Sequence, residues 1–141
     1  MAQSTFGGPM RVGDKGSGTL KNVGTPLLSQ STRIVQDGTN AVSKTLYLPK
    51  AAIIVDIIAD NLTAWNSATS AVLTIGTAAA GTQYASGVDA KTAGRVRPTF
   101  TAAQLTSMAS IGSTTPVVAT VTPTGATSAG DTKVTILYVM I

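Results

Sequence analysis

Aspartate supplies every acidic side chain of this 141-residue sequence, which leaves few residues for acid–base chemistry. Histidine, cysteine and glutamate are absent, so neither a Ser-His-Asp or Cys-His site nor a zinc site of the usual kinds can be built. Asp56 and Asp60 share one face of a predicted strand, but a rise of about 3.3 Å per residue separates them by roughly 13 Å. A glycosidase pair needs about 5 to 9.5 Å. The sequence therefore predicts a protein with no enzymatic activity, cofactor or metal.

Two motifs for small ligands are incomplete. The Gly-Ser-Gly at 16–18 is followed by Lys21 where a dinucleotide-binding fingerprint needs glycine, and no strand is predicted before it. Asp60, Asn61 and Asn66 offer oxygen atoms to a cation, but the stretch lacks the alternating ligands and closing glutamate of an EF-hand loop. Both stretches are predicted to be ordinary polar segments.

The remaining candidates suit a protein partner better than a substrate. Trp65 is the only tryptophan and lies in a polar loop, either as a platform for a sugar or partner or as a lid on the core. Arg95 and Arg97 alternate on one face of a predicted strand before Pro98, which is typical of a protected sheet edge and also suits acidic groups of a partner.

The N-terminal residues 1–32 form the other candidate binding segment. Six glycines in the first 24 positions and few apolar side chains mean that this stretch cannot offset the entropy of its own ordering. We expect either a disordered tail or an extended arm that becomes ordered only on a partner. In such an arm the apolar anchor would be Leu27 and Leu28, and the electrostatic contacts would be Arg11, Lys15 and Lys21.

The rest of the chain, 33–141, has the pattern of an all-β domain. Short runs rich in valine, isoleucine, threonine and tyrosine alternate with glycine, proline, asparagine and aspartate. Thr101 is placed to N-cap one short helix over Ala102–Ser110. The pattern predicts a jelly-roll-like β-sandwich of about eight strands that follows the extended N-terminal arm. The strands are expected near 33–36, 43–48, 51–60, 71–76, 82–86, 94–99, 117–122 and 132–140.

The surface composition indicates assembly. Apolar residues make up 43% of the chain and charged residues only 11%, against about 25% in an average soluble domain. The strands at 51–60 and 133–141 are apolar on both faces, so we expect both faces to be covered by the chain itself or by a second copy. The net charge of +4 comes without a dense basic stripe, a membrane span or a secretory signal, so neither nucleic acid nor membrane is an expected partner.

Three stretches carry a resemblance to a known family: LPKAAIIVD at 48–56, AVLTIGT at 71–77 and YASGVD at 84–89. Together they resemble small virion proteins of tailed bacteriophages, in particular capsid decoration or cement proteins. The resemblance implies a β-sandwich on the outer capsid lattice that binds the major capsid protein, forms homotrimers and holds the head together. Another virion component, such as a tail, head-fibre or minor head protein, and a carbohydrate or cell-surface binding module that uses Trp65 remain as alternatives.

Overall fold

The computed structural model describes residues 12–14, 22–112 and 116–140, with side chains from residue 25 onward. Ahead of the main domain, the short strands β1 (Val12–Asp14) and β2 (Asn22–Gly24) pair antiparallel. Arg11, Lys15 and Lys21, which were expected to make the electrostatic contacts of the arm, lie outside the described residues.

Eight further strands form two antiparallel sheets of four strands each, in the orders β3-β10-β5-β8 and β4-β9-β6-β7. Their bounds are β3 (Leu28–Val35), β4 (Val42–Leu46), β5 (Ala52–Thr63), β6 (Ser70–Gly76), β7 (Ala85–Asp89), β8 (Gly94–Val96), β9 (Val117–Thr124) and β10 (Asp131–Met140).

The pairing follows one simple rule. Counted from β3, the first strand pairs with the eighth, the second with the seventh, the third with the sixth and the fourth with the fifth. The chain is thus a long antiparallel ribbon that is folded back on itself and wrapped into two facing sheets. This is the jelly-roll arrangement of an all-β sandwich, as predicted from the sequence.

The core fills the space between the two sheets. In β10 the burial alternates strictly, so that Thr132, Val134, Ile136 and Tyr138 face inward. β5 departs from this alternation because a bulge shifts its register: Leu137 of β10 lies opposite Asp56, but Tyr138 lies opposite Ile54. As a result Ile54 and Ile57 both face the core, although simple alternation predicted that they lie on opposite faces.

Several strand boundaries differ from the sequence-based expectation, most informatively those of β3, β7 and β8. β3 begins at Leu28, so residues 28–32, which the sequence assigned to the arm, belong to the sandwich and pair with β10. Their polar run did not look like a strand because β3 is an edge strand with one face in solvent. β7 covers 85–89 and not 82–86, and β8 ends at Val96, two residues before Pro98, whose missing N–H cannot extend a ladder.

The single described helix, α1 (Ala102–Met108), begins where the sequence predicted. The Thr101 hydroxyl accepts a hydrogen bond from the Gln104 backbone N–H at 3.2 Å, and the Gln104 side chain accepts one from the Thr101 N–H at 2.9 Å. This reciprocal capping box fixes the first turn. The helix ends at Met108, which is buried in the core, slightly earlier than expected. Among the described residues, no helix is long and apolar enough to cross a membrane.

Candidate partner-binding surface

The outer face of the β3-β10-β5-β8 sheet carries an apolar stripe on its two central strands. We call Ile53, Val55, Ile58, Leu137 and Val139 the outer stripe. Val139 lies directly opposite Ile53, and the bulge leaves Val55 without a cross-strand partner. Val55 is 51% exposed and the other four side chains are partly exposed. The described part of the chain therefore does not fully cover this face, and its cover by a second copy stays a prediction.

Paired charges lie on the same face, beside the outer stripe and, at Asp56 opposite Leu137, within it. All the ion pairs found among the described residues lie here: Arg33 with Asp131, Arg95 with Asp60 at 2.6 Å, and Arg97 with Asp56 at 3.0 Å. Lys133 stands opposite Asp60 on the neighbouring strand. These charges largely neutralise one another within the chain, so this face offers apolar surface with little free charge.

Arg95 and Arg97 lie at a sheet edge, where the sequence placed them, because β8 is the last strand of its sheet. Their side chains are 61% and 63% exposed, but each guanidinium is bonded to an aspartate of the same chain. The hydrogen bond from Arg95 lowers the pKa of Asp60 below its usual value, against a smaller opposing effect of burial. Both arginines thus border the outer stripe while already holding an anionic partner.

Trp65 belongs to the core and not to a binding surface. The side chain is 1% exposed, which leaves no ring face for a sugar or a partner to stack on. Placing Trp65 among the partner-binding residues was therefore wrong, and the alternative of a lid on the core describes its position. Gly130 packs directly on the indole: a Cβ at that residue would lie 2.5 Å from Cδ2 of Trp65.

A buried hydrogen-bond network that sequence reasoning missed anchors this lid. The Trp65 indole N–H donates to the Thr132 hydroxyl at 3.0 Å, and that hydroxyl donates to Oδ1 of Asn61 at 2.8 Å. The Asn61 amide in turn donates to the backbone carbonyls of Asp89 and Thr92, both at 2.9 Å. The network ties β5 and β10 to the loop after β7. No sequence signal links these residues, because Trp65 and Thr132 are 67 positions apart.

The two leucines proposed as the anchor of the arm have different surroundings. Leu28 pairs with Tyr138 inside the sheet and packs against the core, so it is not available to a partner as an anchor. Leu27, the residue before it, is 57% exposed. Of this pair only Leu27 presents an apolar side chain to solvent.

The described residues bring no metal-binding constellation together. They contain no group of three or more aspartates that could hold a metal ion. The three residues that offered oxygen atoms to a cation do not form a common site. Asp60 accepts a hydrogen bond from Arg95, Asn61 is buried in the core, and Asn66 donates to Ser128. A shallow depression of about 300 Å³ lies beside β7 and β8.

The charged groups at that depression are engaged within the chain. The Asp89 carboxylate accepts hydrogen bonds from the backbone N–H groups of Lys91 and Thr92, and Arg97 is paired with Asp56. The pKa of Asp89 is lowered by hydrogen bonding to the Thr92 side chain and then to the Lys91 backbone. The depression therefore presents no unpaired charged group for chemistry.

No protein-family model matches the chain, and searches of curated proteins and of solved structures find no match either.

Proposed function

We propose that this chain is a non-enzymatic structural protein of a virus particle, a capsid decoration or cement protein that binds the outer lattice of a bacteriophage head and stabilises it. The observation that carries the proposal is the outer stripe, a partly exposed apolar surface on one sheet of the jelly roll. The virion setting comes from the resemblance of the strand sequences to small virion proteins of tailed phages.

The energetics of the outer stripe favour a protein partner. Burying apolar surface stabilises a contact by about 25 cal/mol per Å². Removing Val55 and its partly exposed neighbours from water therefore favours association, and the flanking ion pairs need not be broken. A protein interface usually combines an apolar core with polar groups at its rim, and apolar surface beside charges that are already paired suits that anatomy. Repeated copies on a lattice would multiply modest single-site affinity into firm clamping.

The test is binding of the purified chain to particles of the source virus from which the protein has been removed. Val55→Asp places a charge in the outer stripe. The matched control is Leu62→Asp, because Leu62 is similarly exposed at 55%, belongs to the same strand and lies outside the outer stripe. Cosedimentation with the particles should show that Val55→Asp weakens binding by about tenfold or more, which corresponds to roughly 1.4 kcal/mol, while Leu62→Asp binds like wild type.

Electron microscopy of decorated particles gives the location. Density of this chain on the outer surface of the head, between or on capsomers, is the expected result. Density on tails or fibres would instead assign the chain to another virion component. Full binding by Val55→Asp, with its fold intact by circular dichroism, would contradict the role given to the outer stripe.

A further inference from the structure

The four edge strands of the sandwich differ in how they are protected against pairing with another chain. In β4, Lys44 lies opposite the buried Ala119. The Lys44 side chain is therefore attached on the core-facing side of this edge strand. β7 contains Gly87 at φ 67° and pairs irregularly with β6. β8 has only three residues, and Pro98 follows closely after it. Each of these three edges therefore has a feature that resists addition of a further strand.

β3 has no such protection. It runs for eight residues without proline, glycine or a bulge against β10, and its one charged residue, Arg33, is held by Asp131. Within the described residues β3 pairs with β10 on one side only. A long, regular edge of this kind presents a row of backbone donors and acceptors that a further strand can use.

Exposed apolar side chains gather along this same edge. Leu27, just before β3, is 57% exposed, and Val35 at its other end is 51% exposed. Tyr47 is 74% exposed, and its backbone carbonyl accepts a hydrogen bond from the Gln30 side chain at 3.0 Å, which places Tyr47 beside β3. Half of the six large apolar side chains most exposed in the described chain thus border one edge strand.

The sequence of this edge is self-complementary when it is read in antiparallel pairing. A two-fold axis at Ser31 sets Ser31 opposite Ser31 of the second copy, and Ser29 opposite Arg33 of the second copy. The same axis sets Leu27 opposite Val35 of the second copy, both on the outer face, where each covers the other. In this pairing the apolar residues at the two ends of the strand, Leu27 and Val35, face each other, and the small polar Ser31 lies at the centre. No like charges lie opposite each other.

We propose that two copies of this chain associate through antiparallel pairing of their β3 edges about a two-fold axis at Ser31. The pairing joins the β3-β10-β5-β8 sheet of one copy to the same sheet of the other, which makes one sheet of eight strands. Each copy uses its β3 once, so the contact closes at two copies and cannot grow into a filament. This symmetry differs from the threefold ring that the phage resemblance implies. The inference does not depend on capsid binding, and its test needs no particle.

The experiment measures the mass of the purified full chain by sedimentation velocity at micromolar concentration. Ser31→Lys brings two like charges opposite each other at the axis, and so does Ser31→Asp. Each variant alone should dimerise at least about tenfold more weakly than wild type. An equimolar mixture of the two should restore a dimer, because Lys and Asp then face each other. The matched control is Thr122→Lys, at an exposed position on a central strand of the other sheet, which should dimerise like wild type.

A second measurement uses the absence of cysteine from the chain. Ser31→Cys should form a disulfide-linked dimer on mild oxidation, and Thr122→Cys should not. A wild-type monomer, a trimer unaffected by Ser31→Lys, a mixture that stays monomeric, or failure of Ser31→Cys to cross-link would each overturn the proposal. A monomer that dimerises only after removal of residues 1–24 would assign the β3 edge to the chain's own N-terminal segment and would overturn it as well.

Discussion

Replacing Thr132 by valine removes a single hydroxyl from the core and should cost more than its size suggests. The Thr132 hydroxyl accepts a hydrogen bond from the Trp65 indole at 3.0 Å and donates one to Oδ1 of Asn61 at 2.8 Å. All three residues are buried: Thr132 is 0%, Trp65 1% and Asn61 3% exposed. Valine has nearly the same volume as threonine, so no cavity opens. The indole N–H and the amide oxygen instead lose their common partner together.

The magnitude follows from the two groups that are left unsatisfied. Each buried polar group without a partner costs about 1 to 3 kcal/mol. Small shifts of the Trp65 and Asn61 side chains recover part of this, so we expect the free energy of unfolding to fall by about 2 to 4 kcal/mol. With a urea dependence of about 2 kcal/mol per molar, the midpoint should move down by about 1 to 2 M.

Urea titration followed by the fluorescence of Trp65, the only tryptophan, measures this directly. The matched control is Thr122→Val, which makes the same chemical change at an exposed position of β9 and should alter stability by less than about 0.5 kcal/mol. Equal midpoints for the two variants would refute the reasoning that the Trp65–Thr132–Asn61 network stabilises the core.

Three other substitutions give further checks. Gly130→Ala would push a methyl group into the Trp65 ring and should lower the unfolding free energy by about 1 to 3 kcal/mol in thermal or urea unfolding. Asp60→Asn should lose less stability on acidification than the wild type does. Arg95 lowers the pKa of Asp60, so the ion pair stabilises the fold above the unfolded-state pKa of about 3.9, and this stabilisation is lost as the pH falls through the lowered value. The shift of the urea midpoint with pH measures the difference. Thr74→Val should raise the unfolding free energy by up to about 1 kcal/mol in calorimetry, because the Thr74 hydroxyl is buried without a hydrogen-bond partner among the described residues.

The sequence was sufficient to predict those elements whose conformation depends on residues close by in the chain. The spacing of Thr101 and Gln104 marked the start of α1, since both hydrogen bonds of the capping box form within four residues. The β-branched runs marked the strands on either side, and their number indicated a two-sheet sandwich. The end of β8 was missed, although its signal was local: the predicted strand ran on to residue 99, past Pro98, which cannot donate to a ladder.

Features that depend on distant residues could not be predicted. β3 begins at Leu28 because β10, about a hundred positions away, supplies its ladder, and a run such as Ser29–Thr32 has no strand signature of its own. The burial of Trp65 depends on Thr132 and Gly130 in the same way. The bulge at Val55, which determines which isoleucines of β5 face the core and which form the outer stripe, is a matter of register with β10.

The ribbon-like pairing also determines when the chain can fold during its synthesis. β9 and β10, which follow all the other described strands in the chain, are central strands, one in each sheet, and each lies between two strands made much earlier. Until residues 117–140 have emerged, β3, β4 and β5 lack the neighbours that complete their ladders. Nascent chains therefore cannot assemble either sheet stepwise. Both sheets are completed only after residues 117–140 have emerged, through contacts of long sequence separation that form slowly and expose apolar strands to aggregation in the interval.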